Sequence, residues 1–127
     1  MDLAHHHLLV NCTFNSTPFQ SASYCEWWIQ SIIDKIGMNP LYGPLAVSCH
    51  NEYNTGMSAF AIIDTSHISL HSWDNLSPNL VQLDVYSCKK FDKDTILNAV
   101  KDKNPLSLKY KFIDRSDNFI EVDQLNP

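Results

Sequence analysis

The sequence predicts an α+β fold: a two-layer α/β sandwich, a mainly antiparallel sheet with helices on one face, built from two similar halves. Three observations predict it. Short stretches alternate apolar and polar residues, the mark of half-buried strands. Two segments instead repeat apolar residues at three- and four-residue steps, the helical period. Turn-type clusters rich in Asn, Ser, Pro and Gly divide them.

The elements follow in order. Residues 4–15 are rich in Leu and Val and read as a strand, closed by the turn cluster Asn15-Ser16-Thr17-Pro18. Residues 22–36 read as a helix. Tyr24, Trp27, Trp28, Ile32, Ile33 and Ile36 form its apolar stripe, and Ser23 with Glu26 has capping-box spacing. Gly37 ends it, with Pro40 beyond. Leu45 to Cys49 is a short strand and His50 to Gly56 a polar loop. Residues 58–64 and 66–73 are two further strands; in the second, His67, Ser69 and His71 share one face, Ile68, Leu70 and Ser72 the other. Asp74 to Asn79 is a turn, and residues 80–88 return as a strand. Asp92 has the chemistry of an N-cap for a helix over 93–101, with Ile96, Leu97 and Val100 inward. Residues 106–113 alternate Leu106, Leu108, Tyr110 and Phe112 against polar neighbours, giving a final strand. The polar tail from Asp114 predicts at most partial order. Helices over one face of such a sheet make a two-layer sandwich.

Bulk properties narrow the function. A chain of 127 residues fits one domain with a modest core. The 44% hydrophobic content is that of a folded protein, not a disordered one. No apolar run approaches the roughly 20 residues that span a bilayer, and the N-terminus lacks a secretion-signal layout. Both point to the cytoplasm. A net charge of −5 argues against a nucleic-acid surface and is compatible with a cationic substrate. Cys12, Cys25, Cys49 and Cys88 include no CxxC pair, so a zinc site is not expected and the thiols should be free. In the run His5-His6-His7, alternation puts His5 and His7 on one face and His6 on the other, and no metal is expected there.

One stretch carries the chemistry: Asp64-Thr65-Ser66-His67-Ile68-Ser69-Leu70-His71-Ser72-Trp73. It resembles the self-cleavage segment of the short, prokaryotic-type S-adenosylmethionine decarboxylase proenzymes, Glu-Ser-His-Ile-Ser-Ile-His-Thr-Trp. Gly56-Met57-Ser58 and the apolar run after it are similar to the family's Gly-Val-Ser-Gly and strand, with Ser58 eight residues before Ser66. Leu83 to Cys88 is similar to Val-Asp-Val-Phe-Thr-Cys. His7-Leu8-Leu9-Val10-Asn11 is similar to the family's opening. The four blocks stand in register over residues 5–113.

The resemblance implies that the single domain, 1–127, cleaves itself between Thr65 and Ser66. Ser66 then becomes a pyruvoyl group, an electrophile that forms a Schiff base with the substrate amine; no metal is implied. Decarboxylation needs such an electron sink, which ordinary side chains lack. Thr65 stands where the family has glutamate, but that position supplies only its carbonyl to cleavage. His71 is implied as the base that removes the serine α-proton, a task suited to a side chain with a reference pKa of roughly 6.5. Ser58 is implied to steady the intermediate, and Cys88 to return a proton to the substrate carbon. Trp73 and Tyr53 are candidates to stack on adenine, and Asp74 to reach ribose hydroxyls. The family fold pairs its sheet with a second protomer, so a homodimer with sites built from both chains is implied. The activity implied is decarboxylation of S-adenosylmethionine to the aminopropyl donor for spermidine synthesis. Two alternatives stay open: a pyruvoyl-dependent ornithine or arginine decarboxylase on the same scaffold, and an unprocessed, non-catalytic homologue.

Overall fold

A computed structural model describes residues 3–125. Its order is β1 (His6–Phe14), α1 (Ala22–Lys35), β2 (Pro40–His50), β3 (Thr55–Ile63), β4 (Ser66–Trp73), β5 (Asn79–Ser87), α2 (Lys93–Lys101), β6 (Ser107–Asp114) and β7 (Ile120–Leu125). The strands form one sheet in the order β2-β3-β4-β5-β1-β6-β7. Every ladder is antiparallel. The expected α+β sandwich is the fold observed.

Alternation sorts the sheet into two faces. Leu8, Val10, Ala59, Ala61, Ile68, Leu70, Leu83 and Val85 are buried together with Ile29, Ile32 and Ile33 of α1 and Ile96, Leu97 and Val100 of α2. Among the described residues, the other face carries no helix. Across it the register lines up rows such as Val47, Ser58, His71, Gln82, Asn11 and Lys109. As expected, His67, Ser69 and His71 lie on this open face, while Ile68, Leu70 and Ser72 are buried. Among the described residues, no helix is long and apolar enough to cross a membrane.

Four expectations need correction. Helix α1 is capped by Ser21, whose hydroxyl accepts from Tyr24 N–H at 3.2 Å; Ser23 and Glu26 form no capping box. Glu26 instead accepts from Ala46 N–H of β2 at 3.0 Å, because a neighbouring strand offered an unpaired donor. In the stripe, Trp27 is 61% exposed and Cys25 and Ile29 take buried positions instead. Strand β2 runs far beyond 45–49, with irregular pairing between Pro40 and Leu45 around Gly43 (φ +83°). The polar tail supplies a seventh strand, held by its ladder to β6 and by the Tyr110 hydroxyl donating to Asp123 at 2.8 Å. An edge strand need bury neither face, and here Ile120, Val122 and Leu125 all stay exposed.

Two glycines separate backbone strain from steric exclusion. Gly37 ends α1 in the left-handed region at φ +72° with open space around its Cα. At Gly56 (φ +154°) an added Cβ would stand 1.9 Å from the Ser72 carbonyl oxygen. Gly37→Ala should therefore cost about 1–2 kcal/mol, the left-handed penalty alone. Gly56→Ala should cost clearly more, because the β3–β4 backbone must move. Urea unfolding of both variants checks the order; equal losses would contradict it.

Candidate active site

Asp64 and Thr65 are the two loop residues of the β3–β4 hairpin, which Ile63 and Ser66 close as partners. Ser66 has φ +149°. Side-chain-bearing residues seldom adopt such a value, which costs of order 1–3 kcal/mol and persists only where the surroundings enforce it. Here they do. Thr65 is buried, its hydroxyl donating to Met38 Sδ at 3.1 Å. Its carbonyl accepts from Cys88 N–H at 2.8 Å. Ser66 pairs with Ser87 across β4 and β5, so Cys88 follows directly. Thr65, Ser66 and Cys88, far apart in sequence, thus meet at one end of the sheet.

Ser58 and His71 meet elsewhere. They are partners across β3 and β4, with Ser58 Oγ 2.9 Å from His71 Nδ1. In the tautomer with its proton on Nδ1, His71 donates to Ser58 and keeps the Nε2 lone pair free, the form a base requires. The Trp73 ring lies 6.2 Å from that of His71. Tyr53 is 82% exposed in the β2–β3 loop. Its carbonyl accepts from the Asn75 amide at 3.1 Å, which ties this loop to the turn after Trp73. Asp74 turns inward: Oδ1 is buried without a hydrogen-bond partner. Burial, then the charges of Glu26 and Asp74, push the Cys25 thiol up to about 11. This inward carboxylate oxygen faces away from the row that carries His71.

His71 is five residues from Ser66 along one strand, a separation of about 17 Å at strand rise. One chain therefore holds the candidate residues in two groups, or half-sites: Thr65, Ser66 and Cys88 at one end, and Ser58, His71, Trp73 and Tyr53 towards the other.

Between them lies a network the sequence reading missed. His7 Nε2 donates to Asp84 Oδ1 at 2.5 Å, and His67 Nε2 approaches the same oxygen at 3.5 Å. Arg115 Nη1 sits 3.3 Å from His7 Nδ1, its guanidinium stacked 4.2 Å over Tyr86. The three donor atoms of His7, His67 and Asp84 lie within 4.8 Å, close enough to suggest a metal. The Arg115 donor opposes that use. A metal on Nε2 would put the imidazole proton on Nδ1, pointing at the guanidinium. Burial alone would raise the Asp84 carboxyl; the hydrogen bond from His7 and the charges of His7 and His67 overturn this and hold it below the usual carboxylate range. The available signal was a single carboxylate, Asp84, inside the apolar run of β5.

A family profile described as S-adenosylmethionine decarboxylase matches residues 6–116. The chain belongs to the S-adenosylmethionine decarboxylase family. The crystal structure of the adenosylmethionine decarboxylase from Aquifex aeolicus VF5 is similar in fold, with a TM-score of 0.69 over 99% of this chain and 100% of that one, at 15% sequence identity. No curated protein matches in sequence. In this S-adenosylmethionine decarboxylase family member, the open face also holds a hollow of about 460 Å³ lined in part by Asn11, Ser69, His71, Gln82, Asp84 and Lys109.

The lowered Asp84 carboxyl gives a pH signature. A carboxyl depressed by folding adds stability above its unfolded pKa of about 3.9, and that stability is lost as pH falls through the lower folded value. Wild-type stability should drop more steeply from pH 5 to pH 3 than that of Asp84→Asn, which has no such carboxyl. Urea midpoints at the two pH values measure this; parallel losses would mean the network does not discharge on acidification.

Proposed function

We propose that this protein is a self-processing, pyruvoyl-dependent S-adenosylmethionine decarboxylase that makes the aminopropyl donor for spermidine synthesis. One observation carries the reading: a strained serine whose preceding carbonyl is held by Cys88 N–H. For cleavage, Ser66 Oγ attacks the Thr65 carbonyl carbon. The Cys88 N–H faces the oxygen on which negative charge develops, as an oxyanion donor should. The peptide C–N bond breaks, its electrons and a proton stay on the Ser66 nitrogen, and an ester remains. Removal of the Ser66 α-proton then expels the Thr65 carboxylate, and hydrolysis with loss of ammonia leaves the pyruvoyl group. That group supplies an electron sink for loss of carbon dioxide. Cys88, beside it, is the proton donor to the substrate carbon.

The resemblance assigns the α-proton to His71, which lies about 17 Å from Ser66 along the same strand. His71 of a second copy fills the role. In a two-fold interface residue i of each copy meets residue j of the other, so two open faces packed together would bring both half-sites into register twice. Tyr42, Leu45, Val47, Phe60 and Ile62 support such packing: they are exposed and apolar, and pairing places them in the open-face rows. Trp73 and Tyr53 lie near His71 and are the aromatic surfaces for adenine. A reducing cytoplasm suits the four unpaired cysteines.

Purified protein should split into residues 1–65 and 66–127, the second fragment blocked at its N-terminus, while Ser66→Ala should stay whole. Intact mass spectrometry reads both. A wild-type chain that stays whole after prolonged incubation would favour the unprocessed homologue.

Substrate choice rests on stacking. Processed enzyme should release carbon dioxide from S-adenosylmethionine, and Trp73→Ala should raise KM by up to about tenfold, since one stack contributes on the order of 1 kcal/mol. Assays with carboxyl-labelled S-adenosylmethionine, ornithine and arginine decide it. Release from an amino acid alone would select the sister decarboxylase, a reading favoured by the inward-turned Asp74.

A further inference from the structure

We propose that Asn39, outside both half-sites, is a positioning residue for self-cleavage, holding the hairpin so that the Thr65 carbonyl stays within reach of the Ser66 hydroxyl. The inference rests on the self-processing reading above.

Asn39 and Asp64 are 25 residues apart and share three hydrogen bonds. Asp64 N–H donates to the Asn39 carbonyl at 2.9 Å, Asn39 N–H to Asp64 Oδ1 at 3.2 Å, and Asn39 Nδ2 to Asp64 Oδ2 at 3.0 Å. Both carboxylate oxygens of Asp64 are thereby committed. The side-chain and backbone hydrogen bonds from Asn39 hold this carboxyl below the usual range. The neighbouring Met38 Sδ accepts from the Thr65 hydroxyl. Both loop residues of the hairpin are therefore tied to the α1–β2 connection. That connection is itself fixed: Ile36, Gly37 and Met38 N–H groups bond back to Ile32, Asp34 and Ile33 carbonyls at 3.0, 3.1 and 3.0 Å. Ile32 and Ile33 are fully buried.

The bond to be cut thus lies between two anchors. Asn39 and Met38 hold its N-terminal side, and Cys88 N–H holds the carbonyl. A strained φ relaxes when its surroundings loosen, and a reacting pair displaced by about 1 Å can lose as much as 100-fold in rate. Asn39 makes no contact with the reacting atoms. Its effect must come through Asp64, and it should act on cleavage and not on turnover.

The test follows conversion of freshly made protein to fragments by intact mass. Asn39→Ala should slow cleavage roughly tenfold, equivalent to about 1.4 kcal/mol of barrier. Asn39→Asp should slow it at least as much, because two carboxylates then face each other. The exchanged pair, Asn39→Asp with Asp64→Asn, rebuilds the side-chain hydrogen bond and should recover most of the wild-type rate. Once fully cleaved, Asn39→Ala should keep wild-type kcat/KM. Cleavage of Asn39→Ala at the wild-type rate would overturn the proposal, and so would an exchanged pair that folds with the wild-type Tm yet stays slow. A wild-type chain that never cleaves removes the self-processing reading itself, an outcome distinct from both.

Discussion

The register of β3, β4 and β5 is the constraint on which the rest depends. It pairs Ile63 with Ser66 and Ser66 with Ser87, so the serine sits at a tight bend with Cys88 alongside. The same register pairs Ser58 with His71. A slip of one residue would turn every side chain of β4 to the opposite face. Leu70 and Ile68 would leave the core, and His71 would enter it. Burial of one face therefore locks the register that positions the side chains on the other.

That locking also accounts for the strain at Ser66. An unfavourable φ of order 1–3 kcal/mol survives only if its alternatives cost more. Relaxing Ser66 would pull Thr65 from its buried site and break the Cys88 hydrogen bond to its carbonyl. It would also disturb Asp64, which three hydrogen bonds join to Asn39. The bend is over-determined from both sides, and the unfavourable torsion adjoins the Thr65–Ser66 bond whose cleavage is proposed.

Much of this was legible in the sequence, for a physical reason. Strands β3, β4 and β5 bury one face each, so their alternation is strong and their boundaries could be read to within a residue, save the start of β3, which lies three residues earlier at Thr55. Helix α2 announced itself through Asp92, which caps it as expected by accepting from Asp94 N–H at 2.9 Å. What escaped was what alternation does not encode. Strand β7 is an edge that buries none of its apolar side chains, stabilised by pairing to β6 and by Asp123 bonds to Tyr110 and Lys93. Ser21 and Ser23 are both plausible caps, and only the packing of Glu26 against β2 decides between them. The His7–Asp84–His67 network joins three strands distant in sequence; His7 and Tyr86 become neighbours only because β1 pairs with β5. The division into two half-sites was implicit in the spacing of Ser66 and His71, since five residues of extended chain exceed the reach of any side chain.

Were the chain cut at Ser66 as proposed, the sheet order would keep its two parts together. Strand β1 belongs to the segment before Ser66, yet it lies between β5 and β6, which belong to the segment after it. Strand β3 likewise pairs with β4 across the Thr65–Ser66 bond. The two segments interleave. Leu8 and Val10 of one pack in the same core as Leu83, Val85 and Phe112 of the other. The proposed cleavage at the hairpin would remove a covalent link but no ladder and no buried apolar surface. The free energy that holds the segments together is that of the whole core, so relief of strain at Ser66 need not loosen the fold. The topology assigns cohesion to strands drawn from both sides of the Thr65–Ser66 bond, which is what the proposed cut at the centre of the chain would demand.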